Sequence, residues 1–297
     1  MRYESSAGDR AGFSVRRAKV WKKGQLARAP VWFYKLQVET DSRRAGKLHL
    51  QDAYAEFRTA RWRLRFGQMV PEFSLERAQS DCFLPVPERA QVVEVLHPGS
   101  ETDCRDIGVA ATADSLLRRG HVAVGVFNGT GANRLAKTAR VGMVVSRIFW
   151  RLRGGPYGRG HFGVSVMRRW AQKQSFKKIF GDDRPFTGTD TRVGLEFFWQ
   201  VSSIQFQAEL LRGGLGPWHP GGHYVLATWA VGADLRLVGY EETFRGVALR
   251  AREAREVGLG CVWSGPGDRV RWLAFSAWRR PGDGWPVFRA QLQILLD

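Results

Sequence analysis

The sequence predicts an all-β protein, a transmembrane antiparallel β-barrel, and three observations carry that prediction. Nearly all of the 297 residues fall into segments of about ten residues separated by Gly, Pro, Asp and charged turns, with no run of helical 3.6-residue periodicity. Within the clearest segments the residues alternate: Arg61, Arg63 and Arg65 point one way and Trp62, Leu64 and Phe66 the other. The chain carries 12 tryptophans, many near segment ends (Trp21, Trp32, Trp62, Trp150, Trp170, Trp199, Trp229, Trp263, Trp278), where the aromatic girdles of a membrane barrel belong. Core aromatics of a soluble sandwich are the competing reading. The opposite faces, rich in Arg, Gln, Glu and Gly, suit a water-filled lumen better.

Taken in order, fifteen segments read as strands, centred near Val15, Tyr34, Ala53, Leu64, Val109, Val124, Val145, Val166, Leu195, Phe206, Leu226, Leu237, Leu259, Leu273 and Leu292. The alternation is repeated in Ser203 to Leu210, and in Phe288 to Leu296, where Arg289, Gln291 and Gln293 oppose apolar neighbours. The whole chain, 1–297, reads as one barrel domain. Bacterial single-chain barrels use even strand numbers, so one strand is expected to be missing or miscounted. Met1 to Arg10 is polar and has no apolar signal-peptide core, which points to the N-terminus as the missing place and to a shortened start. Residues 70–104 form one long irregular connection containing Pro71, Pro85, Pro87 and Pro98, and long connections of this kind are usually functional. Gln172 to Thr191 is a second, basic loop, equally readable as a vestibule lining or as a solvated surface.

Composition narrows the chemistry. Lys and Arg number 46 against 28 Asp and Glu, a net charge of +18 and a pI near 10.7, so the natural partner is anionic. The basic residues recur singly and in pairs through nearly every apolar segment instead of clustering in a tail or on one helix face, which favours a lumen or groove over a nucleic-acid surface. No stretch reaches the roughly 18 apolar residues of a transmembrane helix. The six histidines are isolated except His219 and His223, which flank Pro220-Gly221-Gly222 and read as a turn, so no metal, cofactor or catalytic site is expected. Cys82 and Cys104 have a spacing that permits pairing in an oxidising periplasm, though free or buried thiols are the favoured reading; Cys261 stands alone.

Several short motifs share a common order: Phe13-Ser-Val-Arg16-Arg17-Ala18, Gln51-Asp52-Ala53-Tyr54, Gly67-Gln68 through Pro71-Glu-Phe73-Ser74-Leu-Glu76, Glu88-Arg89, Gly125-Val-Phe127-Asn128-Gly129, Gln207-Ala208-Glu209-Leu210 and Gly258-Leu-Gly260-Cys-Val-Trp263. In that order the chain resembles the phosphate-selective porin O and P family along almost its whole length. The resemblance implies a trimeric outer-membrane barrel of about sixteen strands, begun here at the family's second strand, with a long loop folded inward to form the constriction. It implies passive passage of phosphate or related small anions, a lipid environment, no enzymatic activity and no nucleic-acid partner.

Carried over by residue, the resemblance makes Arg16 and Arg17 the constriction's arginine pair, Arg77 and Arg89 its loop cations, and Glu39 a nearby carboxylate. Lys19 stands where the family has tyrosine, Asp81 where a small polar residue is common, and Asp297 in place of a terminal aromatic. On an ideal strand Arg16 and Arg17 cannot both face the lumen, so a bulge or the inward loop is required. Arg63, Arg65, Arg140, Arg192 and Arg289 are expected to line the lumen and steer anions toward the site. Guanidinium suits phosphate because it offers paired donors and keeps its charge. The alternative function is that of a soluble, basic β-rich protein binding nucleic acid or acidic polysaccharide.

Overall fold

A computed structural model of the chain describes residues 2–6, 10–27, 31–41, 46–116, 118–135, 142–246, 254–280 and 286–296. Seventeen strand segments make one sheet among them: β1 (Arg2–Ser6), β2 (Arg10–Ser14), β3 (Arg17–Ala27), β4 (Val31–Asp41), β5 (Leu48–Arg58), β6 (Trp62–Met69), β7 (Asp106–Leu116), β8 (Gly120–Phe127), β9 (Met143–Arg151), β10 (Arg159–Ser175), β11 (Pro185–Val201), β12 (Ile204–Leu215), β13 (Gly221–Ala230), β14 (Leu235–Arg245), β15 (Ala254–Ser264), β16 (Val270–Arg280) and β17 (Val287–Ile294). From β3 to β17 each strand pairs antiparallel with the next. β1 pairs with both β17 and β2, which joins the two ends of the sheet. β2 and β3 are one strand interrupted at Val15 and Arg16, so the seventeen segments amount to sixteen staves of a closed barrel.

This corrects the expectation of an absent first strand. A five-residue strand is present at the start and closes the ring through pairings such as Arg2 with Gln291 and Glu4 with Gly12. Sequence patterning missed it because five residues carry barely two periods of alternation. The fifteen anticipated centres otherwise fall in fifteen staves, with Val15 at the interruption between β2 and β3.

The direction of the two faces follows from burial. Along β10, Phe162, Val164, Val166 and Trp170 are exposed, whereas Gly163, Ser165, Met167, Arg169 and Ala171 between them are buried. The same holds for Trp62 and Phe66 on β6, Leu195 and Phe197 on β11, and Phe206 and Leu210 on β12. An apolar outer wall with polar and charged residues inside is unsuited to water on both sides and suited to lipid outside. This wall sets aside the soluble alternative.

The ends of the barrel differ. Short connections between β5 and β6, β11 and β12, and β13 and β14 lie at one end, and Trp62, Trp150, Trp199, Trp229, Trp263 and Trp272 sit on the adjoining strand termini. The long connection 70–105 leaves the opposite end and turns into the interior. It carries two short helices, α1 (Leu75–Ala78) and α2 (Gln91–Leu96).

Packing explains why this loop stays inside. Phe73, Val92, Val93 and Leu96 are buried in one cluster with Leu211, Tyr224, Leu226 and Phe244 of β12 to β14. Each such side chain contributes roughly 1.5–3 kcal/mol when fully removed from water. At Gly99 the chain reverses with φ of +76°, and a Cβ there would lie 2.8 Å from the Arg105 carbonyl oxygen, so the return of the loop depends on glycine.

Candidate functional site

The interruption at Val15 and Arg16 decides how the arginine pair is presented. Leaving the ladder for two residues frees Arg16 from strict alternation, and both arginines reach the same loop carboxylate. Arg16 donates to Glu88 through Nε at 2.6 Å and Nη2 at 3.2 Å, and Arg17 donates through Nη2 at 3.2 Å. Arg16 also pairs with Asp41 at 2.6 Å. The register of β3 on β4 places Arg17 opposite Asp41 and Lys19 opposite Glu39, so these wall cations meet wall carboxylates across one strand pair.

From the loop side, Asp81 reaches the same wall. Its Oδ2 lies 2.5 Å from Lys19 Nζ and 3.3 Å from Arg17 Nη1, and its Oδ1 is hydrogen-bonded by Arg89. Arg89 also donates to the carbonyl oxygens of Gln79, at 2.6 Å, and Glu76. Arg77 pairs with Glu94 at 3.0 Å and donates to the Asp103 carbonyl at 3.3 Å. Thus five of the expected site residues, Arg16, Arg17, Lys19, Arg77 and Arg89, are brought to one region, and Glu39 lies 3.6 Å from Arg17 and 3.9 Å from Lys19.

Among the described residues that pair there, the carboxylates are as numerous as the cations. Against Arg16, Arg17, Lys19, Arg77 and Arg89 stand Glu39, Asp41, Asp81, Glu88 and Glu94, five against five. Burial would raise the Asp81 carboxyl, but Arg89, Lys19, Arg17 and Arg77 hold it well below the ordinary range. Sequence reasoning noted Glu39 and Asp81 and missed the other three, whose partners lie on other elements. The cross-strand position of Asp41 relative to Arg17 was the one available signal.

The remaining expected arginines divide. Arg63 pairs with Asp114 at 2.6 Å, and Arg65 pairs with Glu56 and Glu72 while its guanidinium lies 5.4 Å from the Tyr54 ring centre. Both line a cavity of about 580 Å³ between the loop and the β4–β10 wall. Arg289 is buried against Glu256 at 2.6 Å and lines a second cavity of about 460 Å³ on the β13–β17 side. Arg192, by contrast, is 0% exposed and lies beneath the loop, where it holds Asp190, Glu101 and the carbonyl oxygens of Leu96 and His97. It fastens the loop and has no face toward open lumen. Arg140 lies outside the described residues.

Other contacts fix the loop. Glu209 of β12 accepts from the Ser74 hydroxyl at 3.0 Å and from the backbone amides of Leu75 and Glu76 at 3.1 and 2.7 Å. Glu72 meets His121 at 3.0 Å; burial opposes its ionisation, yet His121 and Arg65 bring it down to about 2. Burial, with Glu209 nearby, pushes Glu76 up to about 8 although Arg89 opposes the shift. Arg271 of β16 donates through Nη1 to the Cys82 carbonyl at 2.5 Å and to Gln293 at 3.2 Å, and so ties the loop to the far wall.

Glu39, His49 and Asp103 place ligand atoms within 4.8 Å of one another, a convergence that sequence spacing does not reveal. Gln51 bridges both carboxylates and Arg105 pairs with Asp103 at 3.3 Å, so their oxygens already serve a polar network. The three cysteines are free thiols.

Residues 2–148 match the family described as phosphate-selective porin O and P. No curated protein matches the sequence. The fold is similar to an anion-selective porin from Comamonas acidovorans at 10% identity and a TM-score of 0.69, covering 98% of this chain and 94% of that one. It is similar to OmpF of Salmonella typhi, in complex with daunomycin, at 8% identity and a TM-score of 0.70, with coverage of 98% and 94%. It is also similar to the trimer form of the outer-membrane protein OmpT of Vibrio cholerae at 12% identity and a TM-score of 0.65, with coverage of 98% and 95%. Similar over residues 2–148 to the phosphate-selective porin O and P family and built as a lipid-facing barrel with a loop in its lumen, the chain has the fold of the porins, channel proteins of the Gram-negative outer membrane.

Proposed function

We propose that the barrel conducts small anions passively, phosphate among them, through a constriction formed where the loop meets β2 and β3. The observation that carries this reading is the convergence of Arg16, Arg17 and Lys19 from the wall with Arg77 and Arg89 from the loop. Guanidinium and ammonium groups at close quarters replace part of an anion's hydration shell, and their stepwise arrangement permits release as well as entry. Arg63 and Arg65 in the larger cavity and Arg289 in the smaller one supply approach steps on either side. A chain charge of +18 favours anions in the vestibules before they reach the constriction.

Assembly as a homotrimer fits this reading, since the OmpT neighbour occurs in trimer form. The test is replacement of Arg16 and Arg17 together by glutamine. Two charges are then lost from a balanced cluster, and the reversal potential in a potassium chloride gradient should move toward cation preference. A double variant with the parent's reversal potential and conductance would remove the constriction from the account.

A further inference from the structure

We propose that Asp81 is a specificity-determining residue of this channel: its carboxylate occupies, on a tether, the position a small oxyanion would take among Arg17, Lys19 and Arg89, and a permeant anion binds there only by displacing it. The inference rests on the reading of the cluster as the anion path.

The geometry is that of a bound oxyanion. Both carboxylate oxygens are engaged, Oδ2 by Lys19 at 2.5 Å and Arg17 at 3.3 Å and Oδ1 by Arg89, so one small anion is surrounded by three cations drawn from wall and loop. The backbone beside it is anchored independently. Gln293 donates to the Asp81 carbonyl at 3.4 Å, and Arg271 donates to the Cys82 carbonyl at 2.5 Å. A tethered ligand acts at an effective concentration in the millimolar range or above, so a free anion at comparable concentration competes on unequal terms.

Position and charge point the same way. Asp81 lines three of the cavities in the lumen, those of about 480, 580 and 330 Å³, and so stands at their common partition. Among the described residues five cations meet five carboxylates in this cluster, and loss of Asp81 leaves one of those positive charges unmatched. Glu88 meets Arg16 and Arg17 of the wall, whereas Asp81 joins wall cations to the loop cation Arg89. Held well below its ordinary range by these cations, the Asp81 carboxyl stays ionised at working pH and competes throughout.

Two variants of the full chain, D81N and D81A, separate charge from space when reconstituted in planar bilayers. Both are expected to raise the anion-to-cation permeability ratio roughly threefold in a potassium chloride gradient, because a unit charge a few ångströms from the path is removed. D81A, which also leaves room, is expected to lower the inorganic phosphate concentration that half-blocks chloride current by about tenfold, because paired donors are released to the ligand. D81N keeps the side-chain volume and should show the smaller phosphate effect. Unchanged permeability ratios and phosphate block in both variants overturn the inference. Should D81A fail to assemble, an unchanged ratio in D81N alone does so. The outcomes separate the two claims. An anion-selective parent with unresponsive variants refutes Asp81 and leaves the functional reading standing. A cation-selective parent made anion-selective by D81A does the reverse.

Discussion

Replacing Glu101 with glutamine should loosen the lumen loop while leaving the barrel wall intact. Glu101 Oε1 receives Arg169 Nη2 at 2.9 Å and Arg192 Nη2 at 3.0 Å, and Arg192 continues to the carbonyl oxygens of Leu96 and His97 at the end of α2. Burial by itself would raise the Glu101 carboxyl, but the two guanidiniums draw it from an ordinary 4.5 to about 2. At about 1.4 kcal/mol per pKa unit, this difference is worth on the order of 3 kcal/mol. Because the folded value is depressed, the contribution is fully present above about 4.5, is lost as pH falls through about 2, and is complete at neutrality. Glutamine keeps the shape and loses the charge, and it leaves two buried guanidiniums sharing Asp190. A loss of about 3 kcal/mol raises the undocked population of the loop roughly a hundredfold. The assay is hydrogen exchange at pH 7 on the α2 amides of Val93, Glu94 and His97, each hydrogen-bonded within the loop. Protection there should fall by about two orders of magnitude, with amides of β10 and β11 unchanged. Loop protection within about threefold of the parent would refute the view that this charge pair fastens the loop.

The other predictions concern pH and lipid. Glu76 has a folded value near 8 against an ordinary 4.5, so its neutral form stabilises the docked loop fully below about 4.5 and that contribution disappears as pH rises through about 8. Loop protection measured between pH 6 and 9 should therefore decline in the parent and stay level in E76Q, and parallel declines in both would discard this role. Leu195 lies near the middle of the 17-residue β11 on the lipid side, so L195R should cost roughly 2–4 kcal/mol in denaturant unfolding from lipid vesicles, and a change below about 0.5 kcal/mol would contradict the assigned outer face.

The barrel was legible because a period of two needs only local sequence. Trp62, Leu64 and Phe66 against Arg63 and Arg65 expose the two faces without any tertiary knowledge, and the tryptophans at strand ends indicate which face meets lipid. β1 was not legible, since its closure of the ring depends on pairing with β17, nearly 290 residues away. The cations of the proposed site were named from motif order. Their neutralisation was not, because Glu88 and Glu94 are delivered by the loop's path and not by spacing along the chain. Arg192 illustrates the same boundary. Strand parity correctly turns it inward, but whether an inward side chain meets water or the underside of a loop is decided by packing of Phe73, Val92 and Leu96. The pairing of Arg16 and Arg17 with one carboxylate lay between these cases: alternation forbids it, and a two-residue break in the strand permits it.

The central claim is that the ion-paired constriction passes anions in preference to cations. Its most direct test is the zero-current potential of the unmodified protein across a planar bilayer with a tenfold potassium chloride gradient at pH 7. The expected potential has the sign given by chloride permeating faster than potassium, and it shifts further toward anions when Asp81 is neutralised. A potential of the opposite sign, of the kind a carboxylate-dominated lumen would give, contradicts it.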